Sequence, residues 1–267
     1  MNVRIKQPFL PFEGFILDCD GVLWRGDKPI AGAREAVKAL KEAGKVVVFV
    51  TNNASLSRNG YLEKMRRMGF DVSLGDIYCS SYVTARVLRR IRVSRVYVVG
   101  EEGLVEELER EGIELTDPQH AECLVVGIDR HLTYQKLADA LKCLNRGALF
   151  VATNEDPTLP VEDGVLPGAG AIVAALERAS GRKPDVVIGK PSSTMFEMVL
   201  EEKCLDPSKT LVVGDRIDTD IAGAKRLGMA AALVLTGSTT LDELSSSPLK
   251  PDFVLASLSE ILEEALA

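Results

Sequence analysis

The chain has 267 residues, 46% of them hydrophobic and 27% charged, which is the profile of an ordinary globular protein and excludes a disordered one. Its formal net charge of −7 excludes general nucleic-acid binding, which needs a basic surface. Apolar runs stop well short of the roughly 18 residues of a membrane span, and no signal peptide is evident, so a cytoplasmic protein with neither membrane nor nucleic-acid partner is expected.

In chain order, the first apolar run ends at Asp18, and a strand is expected over 46–50, followed by a polar turn and a helix over 58–68. The run of Arg86, Arg89, Arg90, Arg92 and Arg95 reads as a solvated helix face. Strands are expected at 95–99, 123–127 and 149–152, with a helix over 133–145 whose Leu137, Leu141 and Leu144 share one face. A long loop without structure of its own follows over 153–170 and reads as functional or linking. Further strands are expected at 186–188, 210–214, 231–235 and 253–255. Such alternation argues for parallel sheets joined by right-handed crossovers. The middle of the chain carries none of the acidic motifs, so residues 82–182 are expected to form an inserted second domain in a discontinuous first domain, 1–81 and 183–267. The five cysteines, Cys19, Cys79, Cys123, Cys143 and Cys204, form no C-x-x-C pair. With only His120 and His131 besides, no zinc spacing exists.

Two acidic motifs carry the chemistry. Asp18-Cys19-Asp20-Gly21 and Gly214-Asp215-Arg216-Ile217-Asp218-Thr219-Asp220 each follow an apolar strand, so each sets carboxylates at the C-terminal strand edge where open α/β sheets bind ligands. Carboxylates brought together there repel unless a cation neutralises them, and hard oxygen ligands suit Mg²⁺. An EF-hand reading of Asp18-Cys19-Asp20-Gly21 fails because the twelfth position is Pro29 and not Glu. Two carboxyls as close as Asp18 and Asp20 can divide the roles of nucleophile and acid. Thr51, Asn52 and Asn53 end the 46–50 strand with neutral donors for phosphate oxygens. Lys190, before Pro191, is a point cation able to balance a nucleophile–phosphoryl pair. No Walker motif surrounds Lys190, and Gly168-Ala169-Gly170 lacks the third glycine of a dinucleotide fingerprint. Asp215 is the natural metal ligand; Asp218 or Asp220 can cap the following helix, over 221–227, and Asp220 can equally orient Lys190 or a metal-bound water.

These four elements, in this order, resemble the haloacid dehalogenase (HAD) superfamily of phosphatases, and most closely its NagD-like, 4-nitrophenylphosphatase-like branch. The resemblance spans nearly the whole chain. It implies a Rossmann-like parallel-sheet core with a large inserted α/β cap. It makes Asp18 the nucleophile that forms an aspartyl-phosphate, and Asp20 the acid that protonates the leaving alcohol and then activates water. It places Mg²⁺ on Asp18, Asp215 and the backbone carbonyl of Asp20, gives the phosphoryl group to Thr51, Asn52 and Asn53, and leaves charge balance to Lys190. It implies a flap over 22–33 and a cap loop over 156–160 that reaches the leaving group. Some relatives carry a histidine in that D-P-x-x-P stretch; here Thr158 and Leu159 stand there, so a pyridoxal-phosphate preference does not carry over.

The expected activity is therefore Mg²⁺-dependent hydrolysis of small phosphorylated metabolites. A phosphotransferase or mutase using the same intermediate is an alternative, and so is a catalytically idle phosphometabolite sensor. Relatives often pair through the cap, and a homodimer formed there is the protein partner the resemblance allows.

Overall fold

The computed structural model describes residues 3–161 and 164–264; Glu162 and Asp163 of the long loop, and the outermost residues of the expected first domain, lie outside them. The chain forms two compact units. One comprises Met1–Val50, Leu62–Ile77 and Lys190–Ala267, the other Thr51–Tyr61 and Tyr78–Gly189. The architecture is α/β throughout, with parallel sheets of six and five strands.

The six-stranded sheet runs Phe253–Leu255, Ala230–Val234, Thr210–Gly214, Gly14–Asp18, Val46–Thr51, Ile77–Cys79 across its width. The strand Gly14–Asp18 is completely buried, as both faces of a parallel sheet usually are. It pairs in parallel with Val46–Thr51 on one side and Thr210–Gly214 on the other. The chain therefore leaves this strand toward one half of the sheet and returns much later to the other half. That makes the junction a topological switch point, where the crossovers diverge and a crevice opens at the C-terminal strand ends. Register fixes what meets there: Asp18 lies opposite Val50, and Leu17 opposite Val213. Asp18 and Gly214 thus end adjacent strands at the same level.

The second unit holds the five-stranded sheet, in the order Val186–Val187, Leu149–Ala152, Cys123–Val126, Arg95–Val99, Glu114–Leu115. Its pairings are all parallel. Helices Tyr134–Asn145 and Ala169–Ser180 bury Ala140, Leu144, Ile172 and Leu176 against Val99, Leu124, Val126 and Phe150 of the sheet. Thr133 caps the first of these helices, its side chain accepting from the Lys136 N–H. The arginines expected on a solvated face have local partners: Arg86 meets Glu111 at 3.6 Å, and Arg95 meets Glu122 at 3.2 Å.

Two elements differ from the sequence reading. The long loop contains an antiparallel hairpin, Thr158–Val161 with Gly164–Pro167. Pro160 and Pro167 hid it, because proline argues against a strand unless the strand is an edge, as both are in this two-stranded hairpin. The helix expected from Ile221 instead follows a wide turn over Ile217–Ile221 and runs over Ala222–Arg226. Neither Asp218 nor Asp220 is its cap; both have other partners. Among the described residues no helix is long and apolar enough to cross a membrane.

Helix Glu102–Arg110 packs so closely on the segment after Asn53 that Gly103 has no room for a side chain. A Cβ there would lie 2.5 Å from Ser57 N, with the backbone of Leu56 closer still. Gly-to-Ala in a helix normally gains about 1 kcal/mol, whereas forcing a methyl into packed backbone costs about 1–3 kcal/mol. Gly103→Ala should therefore lower the urea unfolding midpoint. A midpoint that holds or rises would show that the 56–57 backbone yields freely.

Candidate active site

Four side chains named by the sequence converge in the first unit. Asp18, Lys190, Asp215 and Asp220 are all at most 9% exposed. Lys190 Nζ donates to Asp18 Oδ1 at 2.5 Å, to Asp220 Oδ1 at 2.6 Å and to the Val50 carbonyl at 3.3 Å. All three ammonium hydrogens thus have acceptors. Asp18, Asp215 and Asp220 each offer a carboxylate oxygen within 4.8 Å of the others. Asp215 Oδ2 accepts the Ser238 N–H at 2.6 Å, and Asp220 Oδ2 accepts the Arg216 N–H at 3.2 Å. Both Asp220 oxygens are therefore engaged, while Asp18 and Asp215 each have an oxygen outside these bonds.

The electrostatics follow from crowding three acids around one base. Burial pushes the Asp18 carboxyl well above the usual carboxylate range; Lys190 opposes the rise, and the charges of Asp220 and Asp215 add to it. Asp215 is pushed up to about 6, first by burial and then by the charge of Asp220. Burial works against the Lys190 ammonium, but Asp18 and Asp220 outweigh it and hold the group above its ordinary range. One lysine does not neutralise this set. A hard divalent cation would, and oxygen donors from carboxylates are what such a cation takes.

Asp20 lies two residues on from Asp18, and its side chain is outside the acidic cluster. Its Oδ1 accepts from Trp24 Nε1 at 2.9 Å. Burial raises its pKa, against the attraction of Lys64 and the Trp24 bond. The Asp20 proton is therefore held more firmly than an ordinary carboxylic acid would hold it. Trp24 is itself fully buried, with Lys64 Nζ 5.0 Å from its ring centroid. It begins the small hairpin Trp24–Arg25 with Lys28–Pro29, in the segment expected to form the flap.

Two family models match the chain: haloacid dehalogenase-like hydrolase over residues 15–114, and HAD-hydrolase-like over residues 187–261. The sugar-phosphatase AraL of Bacillus subtilis is 38% identical over 94% of this chain and 93% of its own. A p-nitrophenyl phosphatase from Archaeoglobus fulgidus superposes with a TM-score of 0.89 at 42% identity, over 94% of this chain and 98% of that one. NagD from Escherichia coli K-12 gives 0.86 at 32% identity, over 93% and 98%. The chain belongs to the haloacid dehalogenase-like hydrolases. Within them it falls in the NagD-like, 4-nitrophenylphosphatase-like branch, and it is a phosphoric monoester hydrolase. Its two sheets are the Rossmann-like core sheet and the sheet of the α/β cap of this fold.

The other residues named from the sequence, Thr51, Asn52 and Asn53, fall in the second unit of this HAD hydrolase. They follow directly on Val50, the residue whose carbonyl Lys190 contacts. Thr51 Oγ1 accepts the Asn53 N–H at 3.1 Å, and Asn53 Oδ1 accepts the Ser55 N–H at 3.0 Å. Asn52 Nδ2 donates to Asp156 Oδ2 at 3.1 Å.

Sequence reading missed the loop after strand Ala230–Val234. Thr236 Oγ1 donates to the Gly21 carbonyl at 2.6 Å, and Ser238 N–H donates to Asp215. Gly237 is required between them, since a Cβ there would strike the Asp215 carboxylate. Gly21, at φ +82°, meets the same obstacle: its Cβ would lie 2.6 Å from Asp215 Oδ2. The Thr236-Gly237-Ser238 turn at a strand end was the available signal.

Lys190 is the counter-charge on which the acid cluster rests. Replacing it, as in Lys190→Met, leaves three buried carboxylates facing one another, and breaking a buried pair costs about 3–5 kcal/mol. Urea unfolding in chelator-containing buffer should show a loss of that order. Unchanged stability would mean that the carboxylates do not depend on the lysine.

Proposed function

We propose that this hydrolase cleaves small phosphate monoesters through an aspartyl-phosphate on Asp18, with Mg²⁺ as its cofactor. The observation that carries the reading is the bridge from Lys190 to Asp18 and Asp220, with Asp215 beside them. Asp18 Oδ2 attacks phosphorus while Lys190 holds Oδ1 and fixes the plane of the carboxylate. As the ester P–O bond breaks, Asp20 gives its proton to the leaving alcohol oxygen. Asp20, now ionised, takes a proton from water whose oxygen attacks phosphorus; the Asp18–phosphorus bond breaks, and phosphate leaves. Asp220 positions Lys190 and does not touch the substrate. Thr51, Asn52 and Asn53 hold the phosphoryl oxygens.

The residues fit a divalent cation. Asp18, through the oxygen that does not attack, and Asp215, through the oxygen that Ser238 leaves, would hold it together with the Asp20 carbonyl, and Asp220, with both oxygens engaged, is the poorer ligand. When bound, the ion supplies positive charge to the phosphoryl oxygens. The cap, residues 82–182 on the sequence reading, meets the leaving group through its 156–160 loop. The names of its relatives include sugar, glycerol 3-phosphate and phosphoglycolate phosphatases, so the substrate class proposed is a small phosphorylated metabolite.

Asp18→Asn replaces the nucleophile by an amide, and hydrolysis of 4-nitrophenyl phosphate should fall by about 10⁴-fold or more with the fold intact. Equal rates in purified wild type and variant would refute the assignment. Turnover should also vanish on exhaustive chelation and return with Mg²⁺. Undiminished turnover in a chelator would remove the metal from the mechanism.

A further inference from the structure

The Asn52 peptide is pinned by residues far from it in sequence. Its carbonyl oxygen accepts twice, from Asn154 Nδ2 at 2.7 Å and from the Ser80 hydroxyl. Its side-chain Nδ2 donates to Asp156 Oδ2. The Asp156 N–H donates to Asn154 Oδ1 at 3.1 Å. These bonds close a ring from Asn52 to Asp156, from Asp156 to Asn154, and from Asn154 back to Asn52. The next carbonyl, that of Asn53, accepts from the Tyr61 hydroxyl at 2.9 Å.

A buried amide must find partners in any fold, so satisfied hydrogen bonds alone indicate only stability. The location of this ring indicates more. Asn154, 3% exposed, spends its two ends on two segments that are both assigned to substrate: the 51–53 turn and the 156–160 loop. The ring also abuts Gly189, where a Cβ would come 2.6 Å from Asn154 Cβ and 2.7 Å from Asn52 Oδ1. Gly189 immediately precedes Lys190, and Asn52 stands two residues after Val50, whose carbonyl Lys190 contacts. A ring member that shifts therefore disturbs the phosphate turn and the stem of the lysine through one or two peptide bonds.

We propose that Asn154 is a positioning residue: through the ring with Asn52 and Asp156 it fixes the 51–53 turn in the geometry that grips the phosphoryl group. This rests on the phosphatase reading above. Asn154 touches neither substrate nor nucleophile; it acts through the Asn52 carbonyl. The Asp156 carboxylate is the second fastening, because it orients the Asn52 amide.

The test uses the full-length enzyme with Mg²⁺, 4-nitrophenyl phosphate as substrate and inorganic phosphate as competing ligand. Asn154→Ala opens the ring at both of its Asn154 bonds; Asp156→Ala removes the acceptor of Asn52 Nδ2, and Asp156→Asn keeps an oxygen there. With folded protein at the assay temperature, Asn154→Ala should lower kcat by about 10- to 100-fold, as misplacement of a positioned group does. The inhibition constant for phosphate should rise in Asn154→Ala and Asp156→Ala, and Asp156→Asn should recover part of the loss. A merely structural role lowers the unfolding midpoint but leaves kcat and the phosphate constant of the folded fraction unchanged, and that result overturns the proposal. If Asn154→Ala does not fold, the Asp156 pair decides: equal phosphate constants in Asp156→Ala and wild type overturn it. Failure of the wild type itself to turn over would strike the phosphatase reading, and this inference with it. An active wild type with indifferent variants strikes the ring alone.

Discussion

One ammonium group organises this molecule's chemistry. Lys190 Nζ is shared by two carboxylates and a backbone carbonyl, and it is buried with all of them. A charge so placed is tolerable only because its partners carry opposite charge and complete its hydrogen bonds. The carboxylates are tolerable only because the lysine is there, and even so Asp18 and the neighbouring Asp215 stay harder to ionise than free carboxylic acids. The site thus holds more negative charge than its own base can satisfy. That shortfall gives a cation a reason to bind, and the Lys190 bond gives Asp18 a fixed orientation.

The sheet exists, in effect, to deliver these groups to one edge. A strand that ends at Asp18 is flanked in register by strands ending at Thr51 and Gly214. The residues that follow Gly214, Asp215 among them, then fall beside Asp18 without any special loop. Small residues do the rest. Gly21 and Gly237 let two backbone segments close on the Asp215 carboxylate, where any side chain would collide. Trp24, by contrast, contributes bulk and a single N–H: fully buried, it donates to the Asp20 carboxyl and fixes its position.

Much of this was legible in the sequence because strand ends are local signals. An apolar run followed by Asp18-Cys19-Asp20-Gly21 or by Gly214-Asp215 announces both the strand and the chemistry at its end. Parallel pairing then decides which ends are neighbours, and the alternation of elements already implied it. Less legible were groups that act only through tertiary contact. Ser238 donates a backbone N–H, which leaves no trace in residue type. Asn154 reads as one polar residue in a loop until its partners, Asn52 and Asp156, are seen around it. The hairpin in that loop was masked by its prolines, and the start of the helix after strand Thr210–Gly214 was displaced because Asp220 serves Lys190 and Arg216 instead of a helix N-terminus.

The central claim is that Asp18 becomes phosphorylated during turnover. Borohydride reduction of the enzyme quenched during steady-state hydrolysis of a phosphate monoester tests it most directly, because an acyl phosphate is reduced to an alcohol and a free carboxylate is not. Peptide mass spectrometry should find the reduced side chain at position 18 when substrate and Mg²⁺ are present, and none without substrate. Active enzyme that yields no reduced residue, or one at another carboxylate, would contradict the account.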